Sequence, residues 1–563
     1  MLTRERAIEA LAGERFDVVV IGGGITGAGV ALDAASRGYS VALVEKADFA
    51  SGTSSRSSKL VHGGLRYLQN FDLGLVREAL LERQLMVQLA PHLVKPLPLV
   101  VPAFDGARPD RLVGIGLNMY DVMATPRLRG RRSARRASRG SAVPQEDPEA
   151  DWSPARHRVI GGDEVAELLP ALSARNPTGG YLFYDCQTDD ARLVLTVLGE
   201  AERFGAICAN RLKVVELAHD DGHGAGVKVR DAESGSDFIV HADNVINATG
   251  VWADRIRPDE LHGEAEVPTI APSRGTHITI AQADLPLRAG AIVPAGEGRS
   301  VFALPWLGRA LVGTTDNNYE GEIDHVRPSP EDIEYLLKAA NTFFASSLGP
   351  ADLTGAYAGV RPLISAGDTR KSVDISRKAE LYETSSGLIT ITGGKLTTWR
   401  RMAKQAVDRV VEREGRTAPC RTHEIPLGQP IDSAALARVE GVPDESYTAL
   451  AGRYGYAAER VLRTAGERGE LAQPIVTGLP DLLAEAPHAA REEQARTVGD
   501  VLLRRTRLGL LAGRELCENG SAAPERVARA LGTELGWDES RIERELERFW
   551  QEAQAEGIAG RVG

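Results

Sequence analysis

The sequence is short of the features that mark a special environment. Its 563 residues include only four cysteines, Cys186, Cys208, Cys420 and Cys517, too far apart for a Cys-x-x-Cys pair. Neither a disulfide framework nor a zinc ribbon is indicated, and a reducing, cytoplasmic setting fits. No apolar run approaches the roughly 18 residues of a membrane span, and the opening Met-Leu-Thr-Arg-Glu-Arg is charged where a signal peptide carries an apolar core. The expectation is a chain that neither crosses a membrane nor is exported by a recognisable signal. Positive charge is also in deficit: 67 Lys plus Arg against 78 Asp plus Glu leave a net charge of -11, so no nucleic acid partner is expected. No internal repeat of 20 to 50 residues and no Asp-x-Asp-x-Asp-Gly calcium loop occurs, and no metal site is indicated.

What is present in excess is glycine, 59 residues or about a tenth of the chain, on a background of 43% hydrophobic and 26% charged residues that is ordinary for a globular protein. The glycines should mark tight cofactor loops. Residues 16 to 21, Phe-Asp-Val-Val-Val-Ile, read as a buried strand that ends at Gly22, Gly23 and Gly24. A helix from Ile25 to Arg37 follows, stopped at Gly38, and a second strand from Tyr39 to Val44 leads to Glu45. Further strands are expected at 242 to 248, 310 to 314 and 387 to 392, with a long helix from Lys395 to about Glu414, an alternation that argues for an α/β architecture. The proline-bearing stretch 415 to 430 reads as a linker before an all-helical tail, in which Ile542, Leu546, Phe549 and Trp550 form one apolar face behind the cap Asp538.

Gly22, Gly24 and Gly27 hold the spacing of a dinucleotide site. The first gives the tight turn, the second admits the pyrophosphate to the backbone, and the third lets helix pack on strand. Glu45, 23 residues after Gly22, closes the unit as a carboxylate for ribose hydroxyls and disfavours a 2′-phosphate, hence NADP. The glycines alone leave FAD and NAD open, because both carry the same ADP half. Downstream lies Thr53-Ser54-Ser55-Arg56-Ser57-Ser58-Lys59-Leu60-Val61-His62-Gly63-Gly64-Leu65-Arg66-Tyr67, a loop rich in hydroxyls and glycine that suits a long cofactor lying across it.

This stretch closely resembles the FAD-dependent glycerol-3-phosphate dehydrogenases, in the flavin oxidoreductase superfamily that also holds D-amino acid oxidase. The resemblance continues in family order through Tyr184 to Leu193, Asn247-Ala-Thr-Gly250 with Trp252, Gly313-Thr-Thr-Asp316, Gly359-Val-Arg-Pro-Leu363, Gly393-Gly-Lys-Leu-Thr-Thr398 and Leu503-Arg-Arg-Thr-Arg-Leu508, and so covers nearly the whole chain. It implies a Rossmann-like FAD-binding domain, a mixed-sheet substrate domain and an all-α C-terminal domain. The FAD segments are placed at about 14–90, 185–270 and 355–415, the substrate segments at about 91–184 and 271–354, a linker at 416–430 and the helical domain at 431–563.

By the same resemblance FAD is held by Gly22, Gly24, Gly27, Glu45, Thr53, Ser54, Gly63, Gly64, Thr249, Gly250, Gly393, Lys395, Leu396 and Thr397. The implied reaction is oxidation of sn-glycerol 3-phosphate at C2 to dihydroxyacetone phosphate, with hydride passing to flavin N5. A dianionic phosphate needs fixed cations, and Arg66, Arg361, Arg377 and Lys395 form the implied cluster, with the Tyr67 phenol as a further donor. The C2 hydroxyl proton must leave, and His62 is the first candidate to take it; Arg361 is the rival, as a stabiliser of the developing alkoxide. Asp189 and Asp190 are read as caps of a helix from Ala191 to Phe204, and Cys186 as a buried small residue.

For the electrons, a membrane quinone is favoured over molecular oxygen. The calcium loops of the mitochondrial type and the additional C-terminal cysteines of the anaerobic type are missing. Contact with the inner face of the cell membrane is expected of Leu112 to Arg139, where an apolar stretch precedes seven arginines in the thirteen residues from Arg127. A flavin amine or 2-hydroxy-acid oxidoreductase, an NAD-dependent dehydrogenase and a non-enzymatic flavin scaffold are the rival readings. Arg504, Arg505 and Arg507, on an expected helix of the tail, are given to packing or to a homodimer contact.

Overall fold

The computed structural model describes residues 1–64, 72–106, 109, 111–124, 156–220, 223–257, 267–296, 298–365, 379–518 and 520–560. Arg66, Tyr67, Arg377 and the arginine-rich 127–139 segment lie outside them.

Two sheets carry the catalytic part. The first runs in the order Ala379–Glu383, Ile389–Gly393, Asp237–Asn247, Arg15–Ile21, Val41–Val44, Ile207–Ala209, with the hairpin Leu212–Asp220 and His223–Asp231 attached to Asp237–Asn247. Its central pairings are parallel. A parallel strand covered on both faces must be apolar throughout, and Val18, Val19 and Val20 are wholly buried at its centre. The helix Ile25–Ser36 that follows is buried along nearly its full length, and Gly29 is what lets it approach the helix Trp399–Glu414: a Cβ there would stand 2.5 Å from the Trp399 ring. The second strand begins at Val41 rather than Tyr39, because the Tyr39 N–H still donates back to the Ala34 carbonyl of the preceding helix at 3.2 Å.

The second sheet is mixed and ten-stranded: Asn317–Asn318, Ile270–Ala281, Arg309–Gly313, Ser300–Trp306, Gly290–Pro294, Lys95–Ala103, Gly179–Gln187 and Leu60–Val61, with Leu353–Ile364 on Ile270–Ala281 and Arg158–Gly161 on Gly179–Gln187. The chain thus leaves the first sheet after Val44, lends Leu60–Val61 to the second, and returns. Of the expected long helix, Leu396–Thr398 is a 3-10 turn and the α-helix proper spans Trp399–Glu414.

From Ser433 onward the described residues are helical apart from turns and one isolated bridge, Pro474 with Leu482. Asp538 caps Glu539–Glu556 by accepting from the Arg541 N–H, and that helix buries Ile542 and Phe549 with Leu546 and Trp550 packed beside them. The expected helix at Arg504 and Arg505 is a π-helix, Asp500–Arg505, and Arg507 follows it in the left-handed region at φ 66°. These arginines face inward. Asp48 accepts from Arg504 Nε at 2.6 Å and from both Arg505 terminal nitrogens at 2.8 and 2.9 Å. Asp500 accepts from Arg211 at 2.7 Å and from Arg504 at 2.8 Å. Arg507 donates to the Ser55 carbonyl at 2.6 Å and to Asp190 at 3.1 Å.

The ion pairs therefore join the tail to the cofactor loop. Removing one partner of such a buried set leaves unpaired charge out of water at a cost of about 3–5 kcal/mol. Asp48→Ala, which takes one carboxylate partner from both Arg504 and Arg505 and leaves them Asp500 and Glu493, is expected to lower the unfolding free energy by about 2–4 kcal/mol in urea titrations; a loss below about 1 kcal/mol would show the network to be solvated in solution.

Candidate functional site

The glycine loop and the loops after the parallel strands Val41–Val44, Asp237–Asn247 and Ile389–Gly393 lie at the carboxyl ends of those strands, the position at which this sheet type receives ligands. Gly22 has φ 111°, and a Cβ on it would meet the Ala248 carbonyl oxygen at 2.8 Å; a Cβ on Gly27 would stand 1.9 Å from the Gly22 carbonyl oxygen. Both positions exclude any side chain. Gly24, the N-cap of Ile25–Ser36, is half-buried, and no acidic residue occupies that helix's first turn, so its positive end is left to an anion. Glu45 accepts from Gly23 N–H at 2.7 Å and Ala47 N–H at 2.8 Å, one bond on each oxygen. Burial raises its pKa against these bonds. Each oxygen retains acceptor capacity for a ribose hydroxyl.

Other expected contact residues sit in the loops that follow these strands. Ser54 Oγ accepts from Ile25 N–H at 2.9 Å, and Thr53 Oγ1 donates to the Val360 carbonyl at 2.5 Å, so both hydroxyls also build the loop. Thr249 donates to Asn247 Oδ1 at 2.7 Å, and Gly250, at φ 60°, is flanked by open space. Gly393, Lys395 and Leu396 are half-buried, next to the Thr392 hydroxyl that donates to the Gly250 carbonyl at 3.0 Å. The glycine cradle and the anion-ready helix end fit the dinucleotide half of FAD.

The loop 53–64 then crosses to the second sheet. Thr397 Oγ1 accepts from His62 N–H at 3.1 Å and donates to the His62 carbonyl at 3.3 Å, so the two motifs, 335 residues apart, clasp each other. The His62 ring meets Phe302 edge-on at 6.4 Å. Across the sheet Phe302 pairs with Gly313, Gly313 with His277, and His277 with Tyr357. His277 was not among the residues expected from the sequence. Its ring stacks on Tyr357 at 4.7 Å, its Nε2 stands 2.9 Å from Ser58 Oγ, and a Cβ on Gly313 would strike the ring at 2.2 Å. Burial first, and then the charges of Lys59 and Arg361, push its pKa well below the ordinary histidine value.

Arg361 lies over Gly275, where a Cβ would meet its Nη2 at 2.7 Å, and donates to Asp316 at 3.2 Å and to the Thr315 carbonyl at 3.3 Å. Its charge is fixed and aimed. Gly63 and Gly64 continue from His62, with Gly64 at φ 76°.

Asp189 caps the helix Asp190–Arg203, as expected, by accepting from the Arg192 N–H. Asp190 does more: out of water, it accepts from the buried Lys59 at 2.8 Å and Arg507 at 3.1 Å, and from the half-buried Ser57 Oγ at 2.7 Å. Burial and Arg507 draw the Lys59 pKa down to about 7, with Asp190 opposing. A Lys and a His within a strand carry no sequence signal of this kind, since only the fold brings them together. Cys186 is buried, and burial pushes its thiol up to about 12, consistent with an inert packing residue.

The model of the FAD dependent oxidoreductase family matches residues 17–409, and that of the C-terminal domain of alpha-glycerophosphate oxidase matches 393–542. A Mycobacterium tuberculosis protein named glycerol-3-phosphate dehydrogenase 2 is 37% identical, over 99% of this chain and 91% of that one. The aerobic glycerol-3-phosphate dehydrogenase of Bacillus subtilis is 35% identical, over 90% and 89%. Among solved structures, the glycerol-3-phosphate dehydrogenase from Bacillus halodurans complexed with FAD superposes with a TM-score of 0.76 at 30% identity, covering 99% of this chain and 98% of that one.

The cradle makes a direct forecast. Gly27→Ala should purify without the yellow of bound flavin, whereas Gly199→Ala, on a helix face with nothing within 4 Å of the new methyl, should keep its full absorbance.

Proposed function

The chain belongs to the FAD-dependent oxidoreductase family, among the glycerol-3-phosphate dehydrogenases, and from this premise we propose that it oxidises sn-glycerol 3-phosphate to dihydroxyacetone phosphate and passes the electrons to a quinone. The observation that carries the reading is the glycine cradle at the nucleotide end, together with the clasp of Thr397 on His62 and an arginine, Arg361, held by Asp316. FAD, when bound, supplies the hydride acceptor at its N5.

The rest is assigned to the chain's own side chains. The phosphate is assigned to Arg66, Arg377 and Lys395, with Tyr67 as a neutral donor, because a dianion drawn out of water is held by charged donors of fixed position. Arg361 is assigned to the C2 oxygen. A guanidinium stays protonated and so cannot accept the hydroxyl proton, but it stabilises the oxygen as negative charge develops. Asp316 and the Thr315 carbonyl hold it in place at no cost in reorganisation during the reaction. His62 takes the proton. His277, buried and held neutral beside two cations, is suited to hydrogen bonding without adding charge to the pocket. We also read 1–415 as the catalytic unit, 416–430 as its linker and 431–563 as a helical unit docked upon it.

Full-length relatives named dehydrogenases support the quinone; the oxidase-type C-terminal match favours oxygen as the second reading. Anaerobic addition of sn-glycerol 3-phosphate should bleach the visible flavin band, while glycerol and D-amino acids leave it unchanged. Reoxidation by a soluble quinone analogue should then outpace reoxidation by air; peroxide formed at the faster rate would reverse the choice of acceptor. Arg361→Lys should slow bleaching by about 10²-fold or more, the usual cost of one oriented donor at a developing oxyanion.

A quinone is reached at a bilayer, and no described helix is long and apolar enough to cross one. The helix Arg111–Ala124 instead exposes Ile115, Met119 and Val122 at i, i+4 and i+7, and the chain continues into the arginines of 127–139. An exposed apolar stripe beside dense positive charge suits an anionic bilayer surface, at ~1 kcal/mol for each arginine near it. Deleting 127–139 should weaken binding to phosphatidylserine vesicles and reduce its salt dependence; unchanged binding would remove the membrane assignment.

A further inference from the structure

We propose that Tyr120, supported by Asp185 and Arg83, is a positioning residue for His62, an inference that rests on the reading of His62 as the proton acceptor. The strand Leu60–Val61 pairs with Gly179–Gln187, Leu60 opposite Gln187 and Val61 opposite Cys186, and the ladder stops there. Past that point the N–H of Gly63 has left the sheet, and as a buried donor it needs an acceptor. It donates to Tyr120 Oη at 2.8 Å. The phenol in turn donates to Asp185, at 2.7 and 2.9 Å from its two oxygens, and Arg83 donates to Asp185 and, at 2.9 Å, to the Tyr184 carbonyl.

All three side chains are buried. Burial first, and Asp185 second, lift the Tyr120 pKa well above its ordinary value, so the phenol stays a donor to the carboxylate and an acceptor for the peptide. The fit is close: a Cβ on Gly63 would stand 2.6 Å from the phenol oxygen and 2.5 Å from Leu80.

The consequence for His62 is that the peptides on both sides of it are held. Thr397 takes its own N–H and carbonyl, and Tyr120 takes the N–H of the next residue. A histidine whose backbone is clamped in this way has only its two side-chain torsions left to aim its ring, and placement within a fraction of an ångström is what proton abstraction requires. Asp185 is the second acceptor within reach of Gly63 N–H, at 3.4 Å, too long to replace the phenol. The cluster comes from three separate elements, Leu73–Leu89, Arg111–Ala124 and Gly179–Gln187, and none of its members has been assigned a part in the chemistry above.

The test is a double-mutant cycle on the rate of anaerobic flavin bleaching by sn-glycerol 3-phosphate, using the full-length flavoprotein. Tyr120→Phe keeps the ring and removes only the oxygen; the protein should fold with a somewhat lower thermal midpoint, while flavin content and the substrate concentration for half-maximal rate stay close to wild type. Its bleaching rate should fall about tenfold, the scale of one lost buried hydrogen bond. In a His62→Ala background, already slow, the same change should cost less than about twofold, because a residue that acts through His62 has nothing left to position. Bleaching by Tyr120→Phe at the wild-type rate, or losses that simply multiply in the double variant, would overturn the proposal and leave His62 in its role. A His62→Ala protein that bleaches at the wild-type rate would instead remove the base, and this inference with it.

Discussion

Asp190 and Asp500 lie out of water and keep their charge because, against the penalty of burial, cations from distant parts of the chain stand against them: Lys59 and Arg507 for Asp190, and Arg211, Arg504 and Arg505 for Asp500. Charge buried in this way is stable only when its partners are in place, since the attraction compensates for lost hydration over a few ångströms and no further. The loop between Val44 and Leu60 carries one set of partners and the π-helix Asp500–Arg505 and its sequel carry the other. Loop and tail are thereby held in one relative position. The hydrophobic clusters on either side are large, but apolar burial is non-directional and tolerates sliding; the ion pairs do not.

The loop so held is the one from which the site is built. Ser54 accepts from the Ile25 N–H at the start of the helix that follows the glycines, Thr53 donates to Val360 on the strand Leu353–Ile364, and the loop passes over that strand on its way to His62. Gly359 permits this: a Cβ there would stand 2.6 Å from the Arg56 side chain. The Tyr357 hydroxyl donates to the Ser57 carbonyl at 2.8 Å, and Ser58 meets His277. A segment with almost no regular structure is thus fixed by hydrogen bonds to both sheets, which is the usual way for a catalytic loop to be precise without being a strand or helix.

The electrostatics of the site follow from the same arrangement. Arg361 is paired with Asp316, and the buried Lys59 with Asp190. Positive charge oriented by a fixed partner stabilises an oxyanion as it forms and does not trap it afterward, which suits a reaction whose product must leave as a ketone.

Much of this was legible in the sequence. Gly22, Gly24, Gly27 and Glu45 declared the nucleotide end, because a backbone turn that excludes every Cβ can be met by few residues and its spacing is set locally by the strand and helix it joins. The strands and helices were legible from their apolar runs and stop signals, though not at every end: the strand expected at 242–248 begins at Asp237, the one expected at Tyr39 begins at Val41, and Leu396–Thr398 is a 3-10 turn. The inward direction of Arg504, Arg505 and Arg507 was not legible, since a run of arginines on a helix reads equally as surface, dimer face or core. Nor were His277, Tyr120 and Asp185, each an unremarkable residue in a periodic strand or helix. Local spacing determines which atoms a turn can expose; which buried polar groups meet depends on contacts between residues more than a hundred positions apart, and only the folded chain brings those into hydrogen-bonding range.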